Sequence, residues 1–374
     1  MSRFGTMKIE SVNLFLVKMR LRHPFRTSFG IEQDASILLI RLKMGNKIGW
    51  GECVAREGPW YSGETINSSE YLISNFIGPW LKKTDLDHPT DFTELVKPIR
   101  GNQMTKAFVE DAIWDLFGKI NGKSIYELIG GEKSKIPSGI SLGIQDDTAT
   151  LVKKIENALD RKYQRIKLKI EPGMDNNVLE QVRDYFPEIK LMVDANSAYR
   201  IKDKDIFVKM DRFDLMMIEQ PLQYYDIIDH AKLQKEISTP ICLDESIKSV
   251  DDARVAIELD ATRIINVKPA RVGGISETLK IHELALETKI PLWCGGMLET
   301  GIGRAKNVAV SSLSTFSLPN DISESARYYT DYIIDPIFEL NADGTLSVPQ
   351  KAPGLSVDIK EEVIKQKSVK KVEI

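Results

Sequence analysis

Five charged residues stand at the ends of short apolar runs: Arg165-Ile166-Lys167-Leu168-Lys169, Leu191-Met192-Val193-Asp194, Met217-Ile218-Glu219, Cys242-Leu243-Asp244 and Ile265-Asn266-Val267-Lys268. Asp194, Glu219 and Asp244 are 25 residues apart, Lys169 lies 25 before the first of them and Lys268 lies 24 after the last. That interval is the length of one strand-plus-helix unit, so a barrel of such units would gather all five charges at one mouth, where barrel enzymes carry their catalytic groups. Three carboxylates brought together without histidine or cysteine suit a hard cation, Mg2+ or in its place Mn2+ or another divalent ion. Such an ion can hold a substrate carboxylate and stabilise the enediolate left when the α-proton departs. Lysines facing it supply the proton transfer. Lys167 and Lys169 are two apart and share a side of their strand; like-charge repulsion from Lys167 and from a cation would favour a neutral, basic Lys169. Lys169 on the second strand and Lys268 on the sixth would face each other across the mouth.

The elements that must position these groups repeat. Apolar runs centre near Ile140, Leu168, Met192, Met217, Leu243, Ile265, Trp293 and Leu318, with helix-period segments between them and Pro187, Pro240 and Pro291 before three of them. Eight such units predict an α/β fold containing a (β/α)8 barrel. Phe316-Ser317-Leu318-Pro319 is the shortest of the runs. Residues 1–130 are expected as an α+β capping domain: paired antiparallel strands over 8–21 and 36–44, a third near Trp50, and a helix with Phe108, Ala112, Leu116 and Phe117 on one face, ending at Gly130-Gly131. Residues 131–325 form the barrel, and 326–374 return toward the cap, with 358–374 expected as a solvated charged surface. Segments 22–34 and 58–64 contain glycine and are expected as mobile loops.

Composition excludes several classes. Net charge is −3, which gives no footprint for nucleic acid or an anionic membrane, and no apolar run approaches the length of a membrane span. Residues 1–6 are polar, without a signal segment. Cys53, Cys242 and Cys294 are expected as buried thiols in a reducing cytoplasm. None of His23, His88, His230 and His282 ends a barrel run, so no catalytic or ligand role is expected for them.

Lys167-x-Lys169, Asp194-x-Asn196, Glu219-Gln220-Pro221, Asp244-Glu245-Ser246 and Lys268-Pro269-x-Arg271-x-Gly273-Gly274 together resemble the enolase superfamily, in which a lysine base working beside Mg2+ is established chemistry. Lys268 in a base position resembles the muconate-lactonizing subgroup. Trp114-Asp115-Leu116-x-Gly118-Lys119 and Leu128-x-Gly130-Gly131 extend the likeness across the whole chain. The resemblance implies an enolase-like modified barrel, metal ligands at Asp194, Glu219 and Asp244, acid/base lysines at Lys169 and Lys268, and Lys167 tuning Lys169. It also implies a capping loop at 22–34 that closes over a small carboxylate substrate, with Arg26 facing a distal acid group, and assembly as a homo-oligomer, a dimer or larger. Ser141, Asn196, Arg271, Gly295 and Met297 are expected to contact substrate.

The segment 295–304 resembles the branch containing o-succinylbenzoate synthases of menaquinone biosynthesis and N-acylamino acid (N-succinylamino acid) racemases, and Arg271 resembles a position in that branch. Ala270 departs from a common glycine. The segment is also similar in muconate cycloisomerases, which keeps that reading open. Dipeptide epimerases carry Asp-x-Asp near the eighth strand, whereas 319–323 offers the single acid Asp321. A barrel that has lost catalysis would be expected to lose one of the five charges, and all are present.

Overall fold

The computed structural model describes residues 6–27, 30–145 and 147–374, with backbone only at 25–27 and 30–32. Strands Ser11–Thr27, Gly30–Met44 and Lys47–Cys53 form an antiparallel meander, and the chain's last strand, Ser368–Glu373, pairs with the first. Within the expected 22–34 loop, Phe25–Thr27 pair with Gly30–Glu32, after a register irregularity between Arg20 and Phe25 where Leu21 bridges Tyr329 and Arg22 N donates to Tyr328 O. The described residues of that segment therefore belong to two paired strands. The helix Gln103–Asn121 packs on this sheet and is buried along most of its length, more than the single face expected. Gly51 makes the contact possible, because a Cβ there would lie 1.9 Å from the Phe108 carbonyl oxygen. The helix ends at Gly122, whose φ of 67° suits the left-handed C-cap, and not at Gly130-Gly131.

Seven parallel strands run in chain order from Ile140–Leu142 to Leu292–Cys294. The eighth run is not a strand. Segment 315–321 closes the barrel irregularly: Leu292 N donates to Thr315 O at 2.9 Å, Asp321 N to Cys294 O at 2.9 Å, and Gly139 N to Asn320 O at 2.7 Å. Pro319 lacks the N–H a ladder needs, which accounts for the break. Along each stave the residues facing inward alternate with those facing the helices. Met192, Met217, Cys242, Ile264 and Trp293 form a separate apolar plug at the barrel's base. Two residues farther along four of these staves stand Asp194, Glu219, Asp244 and Asn266, while Leu191, Val193, Ile218 and Leu243 pack outward with the helices. One strand thus presents oil below and charge above.

The charged C-terminal end, expected as a solvated surface, is a helix, Glu361–Lys367, followed by the edge strand Ser368–Glu373. Among the described residues, no helix is long and apolar enough to cross a membrane. The three cysteines are free and buried.

Cap and barrel are joined by buried charge. Lys306, on the helix Gly301–Val310, reaches Asp111 on the long cap helix at 2.7 Å, both fully enclosed. Removing one partner of such a pair strands the other; Lys306→Ala is expected to cost about 3–5 kcal/mol of stability, read as a lower denaturation midpoint. A Lys306→Met/Asp111→Asn double variant should recover much of that loss.

Candidate active site

Lys167, Lys169 and Lys268 line one cavity of about 500 Å3 at the mouth of the barrel, together with Ser141, Asn196, Met297 and Asp321. The three strand-end acids do not line it. They lie fully buried beside the lysines, each held by cationic side chains. Lys169 Nζ is 2.5 Å from Asp194 Oδ2, and Lys167 Nζ is 2.9 Å from Glu219 Oε2 and 3.2 Å from Asp194 Oδ2. Lys268 Nζ is 2.8 Å from Asp244 Oδ2, whose other oxygen accepts from Arg271. Asn266 Nδ2 donates to Glu219 Oε1 at 2.7 Å.

Electrostatics follow from this crowding. Burial works against the Asp194 carboxylate, but Lys169 and Lys167 hold it well below the usual range. Burial and the nearby Asp194 charge push Glu219 up. Burial opposes the Lys268 ammonium, yet Tyr61, Glu245, Glu219 and Asp194 raise it above an ordinary lysine; Lys167 is raised likewise, against burial, by Asp321, Glu219 and Asp194. The spacing of Lys167 and Lys169 predicts that repulsion within the pair dominates. At Lys167 the attraction of the carboxylates packed around it dominates instead, so the charge on that amine depends on what else those carboxylates bind.

Not every expected residue reaches the cavity. Ser141 does, with its Oγ buried and unpartnered. Asn196 accepts from Lys169 Nζ at 2.5 Å and donates to Glu245 at 2.8 Å. Arg271 does not: it is buried behind Asp244, donating to the carbonyls of Ile247 at 2.7 Å and Asn266 at 2.6 Å. Gly295 does not line the cavity either, but a Cβ there would lie 2.7 Å from Lys268 Cε, so only glycine leaves room for that side chain. Its neighbour Gly296 is the lining residue. Arg26 lies in strand Ser11–Thr27 opposite Ile31, and its side chain is outside the described residues. His230 is buried and orders the turn after the fourth barrel strand, accepting from Leu222 N at 3.2 Å.

Several site residues had no signal in the sequence pattern. Tyr61, in the cap segment 58–64, accepts from Lys268 Nζ at 3.2 Å and sets its ring 4.9 Å from that amine. Tyr328 and Trp60 line the cavity walls. Asp321, on the irregular eighth stave, contacts Lys167 and accepts from Arg165 Nη1 at 2.6 Å; against burial, these two cations hold it down at about 2. The cap also fixes the segment after the seventh strand. Arg56 donates to Met297 O at 2.9 Å, and Glu52 accepts from Thr300 N at 2.7 Å and Gly303 N at 2.8 Å, capping the helix that follows.

Residues 9–130 match the family model for the mandelate racemase / muconate lactonizing enzyme N-terminal domain, and residues 150–363 match the enolase C-terminal domain-like family. The chain belongs to the enolase superfamily. It is 44% identical over 362 residues to the o-succinylbenzoate synthase of Bacillus subtilis, covering 96% of each chain. It is 43% identical over 354 residues to the N-succinylamino acid racemase of Thermus thermophilus, covering 95% of each. A crystal structure of an enolase-superfamily member from Listeria innocua superposes with a TM-score of 0.94 at 40% identity, covering 98% of this chain and 99% of that one. The two curated relatives are enzymes, one a lyase and the other an isomerase.

The donor set fits a divalent cation. Asp194, Glu219 and Asp244 are oxygen donors at the ends of consecutive staves, the nearby Cys242 thiol belongs to the apolar plug below them, and two further acceptors, Glu245 Oε2 and Asn266 Oδ1, are buried without partners. As the side chains stand, no three acids, histidines or cysteines among the described residues converge on one metal position. The lysines and Arg271 occupy their oxygens.

Proposed function

We propose that this chain is a divalent-metal-dependent enzyme that removes the α-proton of a small carboxylate substrate, working as an o-succinylbenzoate synthase, an N-succinylamino acid racemase, or both. The observation that carries this reading is the pair Lys169 and Lys268: they line one cavity from the second and sixth staves, on either side of the row of buried acids. Asp194, Glu219 and Asp244 would hold Mg2+ or Mn2+, which when bound supplies positive charge for the substrate carboxylate and for the enediolate that proton loss creates.

The chain's own residues do the rest. Lys169 takes the α-proton from one face once Asp194 is otherwise engaged, since its amine now sits 2.5 Å from that carboxylate. In racemisation Lys268 gives a proton to the opposite face. In the synthase reaction Lys169 passes a proton to the departing hydroxyl, which leaves as water, while Lys268 stays a cation beside the other face. Tyr61 anchors Lys268 from the cap, so the cap completes the site as well as covering it. The 500 Å3 cavity has the volume of a small-molecule site.

Incubation with Mg2+ and an N-succinyl amino acid in D2O tests the reading. Deuterium is expected at the α-carbon of both enantiomers, seen as loss of the α-proton NMR signal together with loss of optical rotation. No incorporation with N-succinyl or N-acetyl amino acids would remove the racemase activity and leave the synthase reaction alone or a muconate-type cycloisomerase, which loss or retention of water from the synthase substrate then separates.

A further inference from the structure

Lys167 has three carboxylates around one ammonium: Glu219 at 2.9 Å, Asp194 at 3.2 Å, and Asp321 in closer contact still. The first two are metal ligands in the function proposed above, on which this inference rests; Asp321 has no part in that scheme. We propose that Asp321 is a positioning residue that holds Lys167 toward the eighth stave and supplies its counter-charge, so that Asp194 and Glu219 are left to bind a divalent cation.

The argument is one of competition. An ammonium has three N–H donors, and here three acids surround it. A buried ammonium cannot be left without a counter-ion, and the same holds for Arg165, which shares Asp321 and is itself almost wholly buried with Nη2 on Pro319 O at 2.9 Å. If Asp321 loses its charge, Lys167 keeps only Asp194 and Glu219. It must then contend with a divalent cation for their oxygens. Buried charges a few ångströms apart interact strongly, so the contest weighs heavily on cation affinity. The location of Asp321 supports the same role: it is delivered by the segment that closes the barrel, where Asp321 N bonds Cys294 O at 2.9 Å and fixes the backbone beside Lys167.

The test is calorimetric titration of Mn2+ into the full-length protein after chelator stripping, without substrate. Asp321→Asn is expected to raise the Mn2+ Kd at least tenfold, and Asp321→Glu to restore part of it. In a Lys167→Met background, the same Asp321→Asn change is expected to alter the Kd less than threefold, because nothing remains to be held away; this comparison stands even if the single variant folds poorly. A Kd for Asp321→Asn equal to wild type overturns the proposal. So does a tenfold weakening that persists in the Lys167→Met background, which would make Asp321 act directly and not through Lys167. Wild-type protein that binds no Mn2+ overturns the metal reading and this proposal together, whereas normal wild-type binding with an indifferent Asp321→Asn overturns this proposal alone.

Discussion

Lys169→Ala and Lys268→Ala are each expected to lower racemase turnover by about 10⁴-fold, the upper end of what a positioned acid or base contributes. The two losses should look different in D2O. Lys268→Ala retains Lys169, so it should still exchange the α-proton of the one enantiomer whose proton faces Lys169, without inverting it. Lys169→Ala should show the mirror preference. Stereospecific exchange without racemisation is a signature that general damage to the site would not produce. Near-normal turnover in either single variant would end the two-face scheme.

Asp244→Asn is expected to weaken divalent-cation binding by roughly 10²-fold or more, since even partners one step removed from a metal commonly cost 10–100-fold. Asp244 also neutralises two buried cations, with Lys268 at 2.8 Å on one oxygen and Arg271 on the other. The amide preserves the shape and removes the charge, so stability should fall by about 3–5 kcal/mol as well. Activity titrated against Mg2+ after chelation, with a parallel denaturation curve, separates the two effects. A lowered midpoint with unaltered Mg2+ dependence would leave Asp244 a structural counter-ion and remove it from the ligand set.

The sequence made the barrel legible because its period is chemical as well as structural. Met192/Asp194, Met217/Glu219 and Cys242/Asp244 each put an apolar residue and an acid on one side of a strand, and the same alternation points both into the lumen. Lys167 and Lys169 obey the same rule. What stayed hidden depends on distance in three dimensions. Tyr61 meets Lys268 across 207 residues of chain, through a cap segment with no periodicity to read. Asp321 sits where the strand pattern fails, beside Pro319, so alternation could not say which way it faces. Arg271 belongs to a short helix, Pro269–Val272, whose turn carries its guanidinium behind Asp244 and away from the cavity. The strand ends at Phe25–Thr27 and Gly30–Glu32 were hidden by a glycine-containing composition that reads as a loop, although these residues pair with one another.

The last strand pairs along Asn13–Val17 of the first, so the two ends of the chain share one sheet. During synthesis the barrel can be complete while that flank of the cap still presents bare backbone donors and acceptors to its surroundings. A nascent chain cut short before Ser368 would keep every catalytic group named above and yet carry a sticky border, inviting pairing with a neighbouring polypeptide. Loss of residues 368–374 should therefore surface first as aggregation of the newly made chains, with the chemistry of the protein that stays in solution little changed.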